Sequence, residues 1–190
     1  MQASRTTAGL HDVELAALAA AGDRPAFGEL VKRHGSSVRG LLRRMGAEPS
    51  LADDLAQDAF LAAFERITEF RGEGTFVSWV RRIAARLYIR RWRREGLMDQ
   101  AEGDLEEVTG GEAIAASRID LDEALKSLSA PERMCVSLCY GAGMSHAEAA
   151  EALNAPLGTV KSHVKRGLDK LRRRLAPGRE FGAEESAVHG

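Results

Sequence analysis

The stretch SHAEAAEALNAPLGTV, residues 145–160, predicts two helices joined by a tight turn. Ser145 can cap the first helix, and Glu148 three residues later completes a capping box. Asn154 stands where the turn must fall, and asparagine tolerates the positive φ that such a turn requires. Val160 then points back toward a core from the second helix. This spacing is typical of a helix-turn-helix motif.

The second helix of this motif, predicted from Thr159 to about Leu175, carries basic and polar side chains opposite its apolar residues. The beginning of such a helix meets base edges in the major groove of duplex DNA. A buried helical hairpin with no DNA ligand is the alternative. The residues that we predict to contact duplex DNA are Thr159, Lys161, Ser162, His163, Lys165 and Arg166.

The composition of the remaining chain favours helices as well. Aromatic residues make up only 5% of the 190 residues, and the abundant Ala, Leu, Glu and Arg are helix formers. No run of alternating β-branched residues predicts a sheet. We therefore expect an all-α protein of one medium domain or two small ones.

The net charge of −1 hides a strong segregation of charge along the chain. Residues 81–94 contain seven bases and no acid, and residues 161–174 contain seven bases and one acid. Between them, residues 99–123 contain nine acids and one base. Two basic clusters separated by an acidic stretch indicate two contacts with a polyanion.

The acidic stretch also predicts the domain organisation. Residues 96–117 carry four glycines and no sustained helical period, which is typical of a flexible, self-repelling linker. We therefore predict a helical domain over residues 1–95, a helix-turn-helix domain over residues 118–177, and a disordered polar tail over residues 178–190.

The first basic cluster, RRIAARLYIRRWRRE at residues 81–95, is predicted to form one exposed side of a helix. No acid lies among residues 81–94, so the arginines repel one another unless an anion binds. Tyr88 and Trp92 are predicted as exposed platforms on which unpaired bases stack. The alternative is a solvated face balanced by acidic neighbours. The stripe that we predict to bind nucleic acid consists of Arg82, Arg86, Arg90 and Arg93.

A glycine-rich loop precedes this helix. Gly72 and Gly74 mark the loop, and Thr75 can cap the helix that follows. Glycine lets a ligand approach the backbone closely, so a base can reach this loop.

An acidic stripe marks an earlier helix. The stripe runs along the helix at i, i+4, i+7 and i+11, with Gln57 beside it, and consists of Asp54, Asp58, Leu61 and Glu65. Such a stripe is a solvated face in many proteins. The exposed leucine in its middle instead favours a surface that docks on another protein.

Several classes of function find no support in the sequence. Cys135 and Cys139 lie four residues apart without the further ligands that a metal site needs, so we interpret them as small buried residues. No phosphate-binding glycine loop or nucleophile motif predicts an enzyme, and no cofactor is expected. With no signal peptide and no apolar membrane span, we expect a cytoplasmic protein.

Taken together, the motifs resemble those of the extracytoplasmic-function sigma factors of bacterial RNA polymerase. The stretch ADDLAQDAFLAAFERITEFRGEGTFVSWVRRIAARL, residues 52–87, is similar to region two of that family. The stretch LSAPERMCVSLCYGAGMSHAEAAEALNAPLGTVKSHVKRGLDKLRRRL, residues 128–175, is similar to region four. The resemblance implies two helical domains and a promoter-specificity factor without catalytic activity.

The resemblance also implies roles for individual residues. The helix with Asp54, Gln57, Asp58 and Leu61 would dock on core RNA polymerase. The helix from Thr159 would read the upstream promoter element as duplex, and an anti-sigma protein would be a further partner. The residues implied to capture the melted non-template strand at the downstream element are Gly72, Glu73, Gly74, Thr75, Phe76, Arg82, Arg86, Arg90 and Arg93.

Three positions depart from the family pattern. Arg86 stands where the family usually has asparagine, and Arg90 where it often has aspartate or asparagine. His163 replaces a commoner arginine. The alternative to a sigma factor is a helix-turn-helix regulator that does not bind core polymerase stably; it explains the second domain but not the arginine helix.

Overall fold

The computed structural model describes residues 9–94 and 121–175, and every regular element in these two ranges is helical. The predicted all-α class is therefore confirmed for these ranges. The predicted linker, residues 96–117, and tail, residues 178–190, lie outside them. The first range contains α1 (Asp12–Ala20), α2 (Arg24–Met45), α3 (Pro49–Glu65), a 3₁₀ turn (Ile67–Glu69) and α4 (Phe76–Arg94). The second contains α5 (Leu121–Lys126), α6 (Ala130–Val136) with a π-helical turn (Ser137–Gly141), α7 (His146–Leu153) and α8 (Leu157–Leu175).

The helix-turn-helix follows from local signals at its ends. Ser145 accepts the backbone N–H of Glu148 at 3.2 Å, and the Glu148 carboxylate accepts the Ser145 N–H at 2.8 Å. Asn154 ends α7 in the left-handed conformation, with φ of 54°. The predicted capping box and turn are thus confirmed. The second helix begins at Leu157, two residues before the predicted start.

The N-terminal half packs α1 to α4 around one apolar core. Leu30, Leu42 and Val80 are fully buried, and Phe76 is 1% exposed at the start of α4. The Phe76 ring lies edge-on to Phe70, with ring centroids 5.5 Å apart. This cluster fixes the start of α4 and, with it, the end of the glycine-rich loop.

The C-terminal half packs α6 and α7 against α8. Val160 is fully buried, as predicted, and Val164 is 4% exposed. A β-carbon at Gly167 would lie 2.8 Å from Cγ2 of Val136, so the glycine lets α8 approach α6 closely. The opposite side of α8 is therefore left to the solvent.

The two halves share a continuous core. Leu41 and Val38 of α2 belong to the same buried cluster as Leu138 of the π-helical turn and Ala142, which follows the turn. Both α2 and α4 contact that turn, and α4 also contacts α7. The helix-turn-helix half is thus folded back against the half that carries the arginine helix.

Candidate nucleic-acid interface

Helix α4 presents most of the predicted arginine stripe to the solvent. Val80 and Ala84 hold one side of the helix in the core at 0% exposure. Arg86, Arg90 and Arg93 are exposed on another side. Because the guanidinium is always charged and its planar fork matches phosphate geometry, this row can bind a chain of phosphates.

Arg82 departs from the predicted open stripe. Its Nη2 donates a hydrogen bond of 2.6 Å to the carbonyl oxygen of Gly143, and its Nη1 lies 3.3 Å from Oε1 of Glu148. The prediction that the stripe has no acidic partner is therefore wrong at this position. The partner comes from α7, far along the chain, and local spacing cannot reveal it.

A groove of about 640 Å³ runs between α4 and α7. The α7 side contributes Glu148 and Glu151, so one wall of the groove is cationic and the other anionic. The stripe remains open to the solvent along this groove, but carboxylates face it. The α4 wall is lined by Arg86, Ile89, Arg90, Arg93 and Arg94.

Two aromatic residues predicted as stacking platforms lie in the core instead. Tyr88 is 6% exposed and Trp92 is 8% exposed, so neither presents a ring to an unpaired base. A β-carbon at Gly46 would lie 3.3 Å from the Tyr88 hydroxyl, which places this ring against the end of α2. The apolar side of α4 is wider than predicted, because the helix packs against neighbours on two sides.

The glycine-rich loop before α4 is exposed and partly left-handed. Gly72 has φ of 76° and Gly74 has φ of 85°, conformations that side-chain-bearing residues rarely adopt. Nothing lies within 4 Å of where a β-carbon of Gly74 would be, so the backbone there is open. Thr75 caps α4, as predicted, by accepting the Ser78 N–H at 3.2 Å. Glu73 is also exposed.

Phe76 is buried, whereas the loop residues before it are exposed. At 1% exposure, its side chain cannot face a bound strand. Its ring packs among Phe27, Phe70 and Trp79, at centroid distances of 6.3, 5.5 and 5.9 Å. The structure therefore assigns Phe76 to the support of the loop and not to a contact surface.

Sequence reasoning missed a cleft of about 390 Å³ between this loop and the start of α1. Asp12 and Arg33 line it together with Gly74 and Thr75. Arg33 donates a hydrogen bond of 2.7 Å to the Leu10 carbonyl and lies 3.3 Å from Asp12. The cleft thus offers a carboxylate, a guanidinium and open backbone within one small volume. Asp12 and Arg33 are distant in sequence, so no local pattern pointed to it.

The duplex-reading residues predicted on α8 share its exposed side. Thr159, Lys161 and Ser162 are exposed near the start of the helix, and Lys165 and Arg166 are exposed one turn later. The exposed side is continuous over these residues, so it can enter a major groove.

His163 and Arg166 interact with each other on the same helix. His163 is half-buried, and its Nδ1 lies 3.1 Å from Nη2 of Arg166. Arg166 also lies 3.9 Å from the carboxylate of Glu132, which α6 buries at 4% exposure. Lys170 reaches the same carboxylate at 2.9 Å. Glu132, a residue not singled out from the sequence, therefore positions the basic side of α8.

The acidic stripe on α3 is exposed throughout. Asp54, Gln57 and Asp58 are exposed, and Leu61 has 55% of its surface accessible in their midst. A protein partner can bury the apolar side chain of Leu61 and form ion pairs with the carboxylates around it. The stripe faces away from the core, as predicted.

The described ranges also bear on three other kinds of feature: a metal site, a reactive thiol and a membrane-spanning helix. Among residues 9–94 and 121–175, no group of three or more His, Cys, Asp or Glu side chains is placed to hold a metal ion. The free Cys135 is buried, and burial, together with Cys139, raises the pKa of its thiol to about 12. None of the helices described here is both long enough and apolar enough to cross a bilayer.

Two family models match the chain, one in each half. Residues 30–97 match sigma-70 region 2, and residues 124–173 match sigma-70 region 4. The first match covers α4 and the α3 stripe, and the second covers the helix-turn-helix. The chain therefore belongs to the sigma factors of bacterial RNA polymerase, in the sigma-70 family.

Individual relatives show to which group of sigma factors the chain belongs. The RNA polymerase sigma factor NccH of Alcaligenes xylosoxydans xylosoxydans is 35% identical over 171 residues, covering 84% of this chain and 92% of NccH. The ECF RNA polymerase sigma factor SigW of Bacillus subtilis is 31% identical over 170 residues, covering 81% of this chain and 91% of SigW. The chain is thus an extracytoplasmic-function sigma factor, and it acts in promoter-specific initiation of transcription.

A solved structure has the same fold. CnrH, in complex with the cytosolic domain of CnrY, superposes with a TM-score of 0.52 at 29% identity. The superposition covers 88% of this chain and 99% of the CnrH chain. The fold expected from the resemblance is confirmed.

Proposed function

We propose that three surfaces of this sigma factor each bind a different partner during transcription initiation. The α3 stripe docks on core RNA polymerase. The stripe of α4 and the glycine-rich loop hold the melted non-template strand of the downstream element. The exposed side of α8 reads the upstream element as duplex. Residues 1–95 and 118–177 are the two functional units, with the acidic stretch 96–117 between them.

The observation that carries this proposal is that the exposed glycine-rich loop leads directly into α4, the helix that bears the exposed arginines. Arg86 and Arg90 supply charge for phosphates, while the open backbone at Gly74 and the adjoining cleft accommodate a base. Because Tyr88 and Trp92 are buried, we propose that recognition here depends on phosphate charge and the cleft, and not on aromatic stacking.

We also propose a protein partner for this chain, in addition to core polymerase and DNA. CnrH has been solved with the cytosolic domain of CnrY, and RpoE of Bartonella quintana with the anti-sigma factor NepR. The RpoE structure is 23% identical to this chain and supports the fold alone. We propose that this chain also binds an anti-sigma protein, acts in the cytoplasm and catalyses no reaction itself.

A first experiment separates this function from that of a helix-turn-helix regulator. The full chain is mixed with core RNA polymerase without DNA and passed over a size-exclusion column. We expect comigration with core and no comigration with unrelated proteins of similar size. Elution of the chain at its free position would favour the regulator.

A second experiment tests the two DNA surfaces separately. Arg86→Ala/Arg90→Ala is compared with Lys165→Ala/Arg166→Ala, which removes the same charge from the other half. With holoenzyme on a pre-melted promoter, the first pair should weaken binding about tenfold or more and flatten its salt dependence, while the second should have a smaller effect. On the upstream duplex alone the order should reverse. If both double variants lost binding equally on both templates, the assignment of α4 to the melted strand and of α8 to the duplex would be wrong.

A further inference from the structure

A buried carboxylate of α6 lies against the basic side of α8. Glu132 is 4% exposed. Its Oε2 accepts a hydrogen bond of 2.9 Å from Nζ of Lys170, and its Oε1 lies 3.9 Å from Nε of Arg166. Lys170 follows Arg166 by about one helical turn, so the two basic side chains are neighbours on α8. A single carboxylate therefore contacts both of them.

Close packing of α6 on α8 brings this carboxylate within reach. A β-carbon at Gly167 would lie 2.8 Å from Cγ2 of Val136 and 3.5 Å from Cβ of Glu132. Because glycine carries no side chain, the two helices approach closely at this point. Gly167 directly follows Arg166 in the chain, so the approach also fixes the distance from Glu132 to the arginine.

Glu132 is ionised and held by its own helix. Burial opposes its ionisation, but the hydrogen bonds from Lys170 and from the backbone of Ser129 hold the pKa of Glu132 below its ordinary value. The Ser129 N–H donates to Oε2 at 3.2 Å and forms part of the capping box of α6. A buried charge attracts its partners more strongly than an exposed one does. Glu132 is therefore a fixed anionic anchor for α8.

Arg166 is oriented by two contacts and still accessible. Its Nε faces Glu132, and its Nη2 lies 3.1 Å from Nδ1 of His163 on the preceding turn. The Arg166 side chain nevertheless remains 58% exposed. A guanidinium has five N–H donors, so these two contacts leave further donors for a ligand.

The lysines near the start of α8 are held differently. Lys161 and Lys165 are exposed, and neither forms an ion pair with a carboxylate of the described residues. A lysine is a flexible point charge that suits phosphate, whereas an arginine presents a planar fork that fits the paired acceptors of guanine. A fork that is already oriented loses less conformational entropy on binding. Arg166 is therefore suited to discriminate between bases.

We propose that Glu132 is a positioning residue for sequence selectivity: its carboxylate holds Arg166 in the orientation in which the guanidinium reads a base edge of the upstream duplex. Contacts of Lys161 and Lys165 with phosphate do not depend on it. This inference rests on the proposed role of α8 in duplex reading. It makes a prediction opposite to simple electrostatics, in which removal of a nearby negative charge tightens binding to every duplex.

The test uses holoenzyme assembled with the full chain. Glu132→Gln removes the charge at nearly constant size, and glutamine still completes a capping box with Ser129. Asp169→Asn is the matched control, because it makes the same charge change on α8, where the partner is Arg172. One probe is the duplex that natural holoenzyme enriches most from promoter fragments with randomised upstream positions. The other is a shuffled duplex of the same base composition.

The ratio of the two dissociation constants measures selectivity. We expect Glu132→Gln to lower this ratio about fivefold or more, through weaker binding of the enriched duplex alone. The shuffled duplex should be bound as tightly as before or more tightly, and Asp169→Asn should leave the ratio unchanged. Equal tightening on both probes would reduce the effect to net charge and overturn the inference. Equal weakening on both would reduce it to a loss of structure and overturn it too.

A double-mutant cycle identifies the residue through which Glu132 acts. In the Arg166→Ala background, Glu132→Gln should no longer change the ratio. If it still lowers the ratio by the same factor, Glu132 does not act through Arg166 and the inference is wrong. If Arg166→Ala lowers the ratio but Glu132→Gln does not, the positioning role alone fails. If Arg166→Ala leaves the ratio unchanged, the proposed reading of the duplex by Arg166 fails as well.

Discussion

Gly141 of the π-helical turn lies so close to Leu41 of α2 that any side chain at residue 141 would displace the leucine. A β-carbon at position 141 would lie 2.6 Å from Cδ1 of Leu41, closer than non-bonded carbons approach. Leu41 is 2% exposed and belongs to the core shared by both halves. The absence of a side chain at residue 141 therefore lets the two halves pack closely at this point of their shared core.

Gly141→Ala should destabilise the shared core of the two halves by over-packing, at a cost of about 1–3 kcal/mol. Leu41→Ala makes room for the added methyl while leaving a cavity of its own. The two substitutions should therefore be coupled, the double variant being about 1 kcal/mol more stable than the sum of the single effects predicts. Urea unfolding of the four proteins measures this coupling. Strict additivity would mean that the two residues do not touch in solution.

Acidification should loosen the contact between α4 and α7. The pKa of Glu148 is lowered in the folded chain from its ordinary value of 4.5. Its contribution is therefore fully present above about pH 4.5 and is lost as the pH falls through the lower folded value. The free energy of unfolding of the natural chain should fall more steeply over this range than that of Glu148→Gln. Parallel curves would exclude a stabilising role for the ionised carboxylate.

Leu61→Ala should weaken binding to core polymerase without affecting the fold. Leu61 is 55% exposed, so its truncation leaves little cavity, whereas burial of its side chain by a partner would be lost. Val13→Ala is a matched control, because Val13 is also 55% exposed and lies on α1. Affinity for core, measured without DNA, should fall about tenfold for the first variant only. A similar loss in both would remove α3 from the docking surface.

The two thiols should react slowly in the folded chain. Burial and Cys139 raise the pKa of Cys135 to about 12, and burial raises that of Cys139 to about 11. Because the thiolate is the reactive form, labelling with a disulfide reagent at neutral pH should be much slower in the native chain than in urea. The rate should rise with pH toward these values. Rapid labelling of native protein would contradict the burial of Cys135 and the partial burial of Cys139.

Asn154 should be replaceable by glycine but not by alanine. Its φ of 54° lies in the left-handed region, which costs most residues about 1–2 kcal/mol but costs glycine and asparagine less. Asn154→Ala should therefore lower the free energy of unfolding by about 1 kcal/mol, and Asn154→Gly should leave it within a few tenths. Upstream duplex binding should follow the same order. Equal stability of the two variants would argue against the left-handed turn.

Elements set by local chemistry could be predicted. The capping box of Ser145 and Glu148, the turn at Asn154 and the cap at Thr75 each depend on residues within four positions of one another, and all three are present. The exposed stripe on α3 followed from helical spacing in the same way. The pattern did not place the cleft lined by Asp12 and Arg33, because it joins segments distant in the sequence.

The sequence by itself determined the helices, the helix-turn-helix and the spacing of the α4 arginines, because these depend on interactions over one or two helical turns. Tertiary structure decided which side of α4 is buried, and it placed Tyr88 and Trp92 in the core. It also paired Arg82 with Glu148, 66 residues further along the chain. Such a pairing depends on how the two halves pack against each other. The periodicity of α4 alone cannot show that Glu148 of α7 lies beside Arg82.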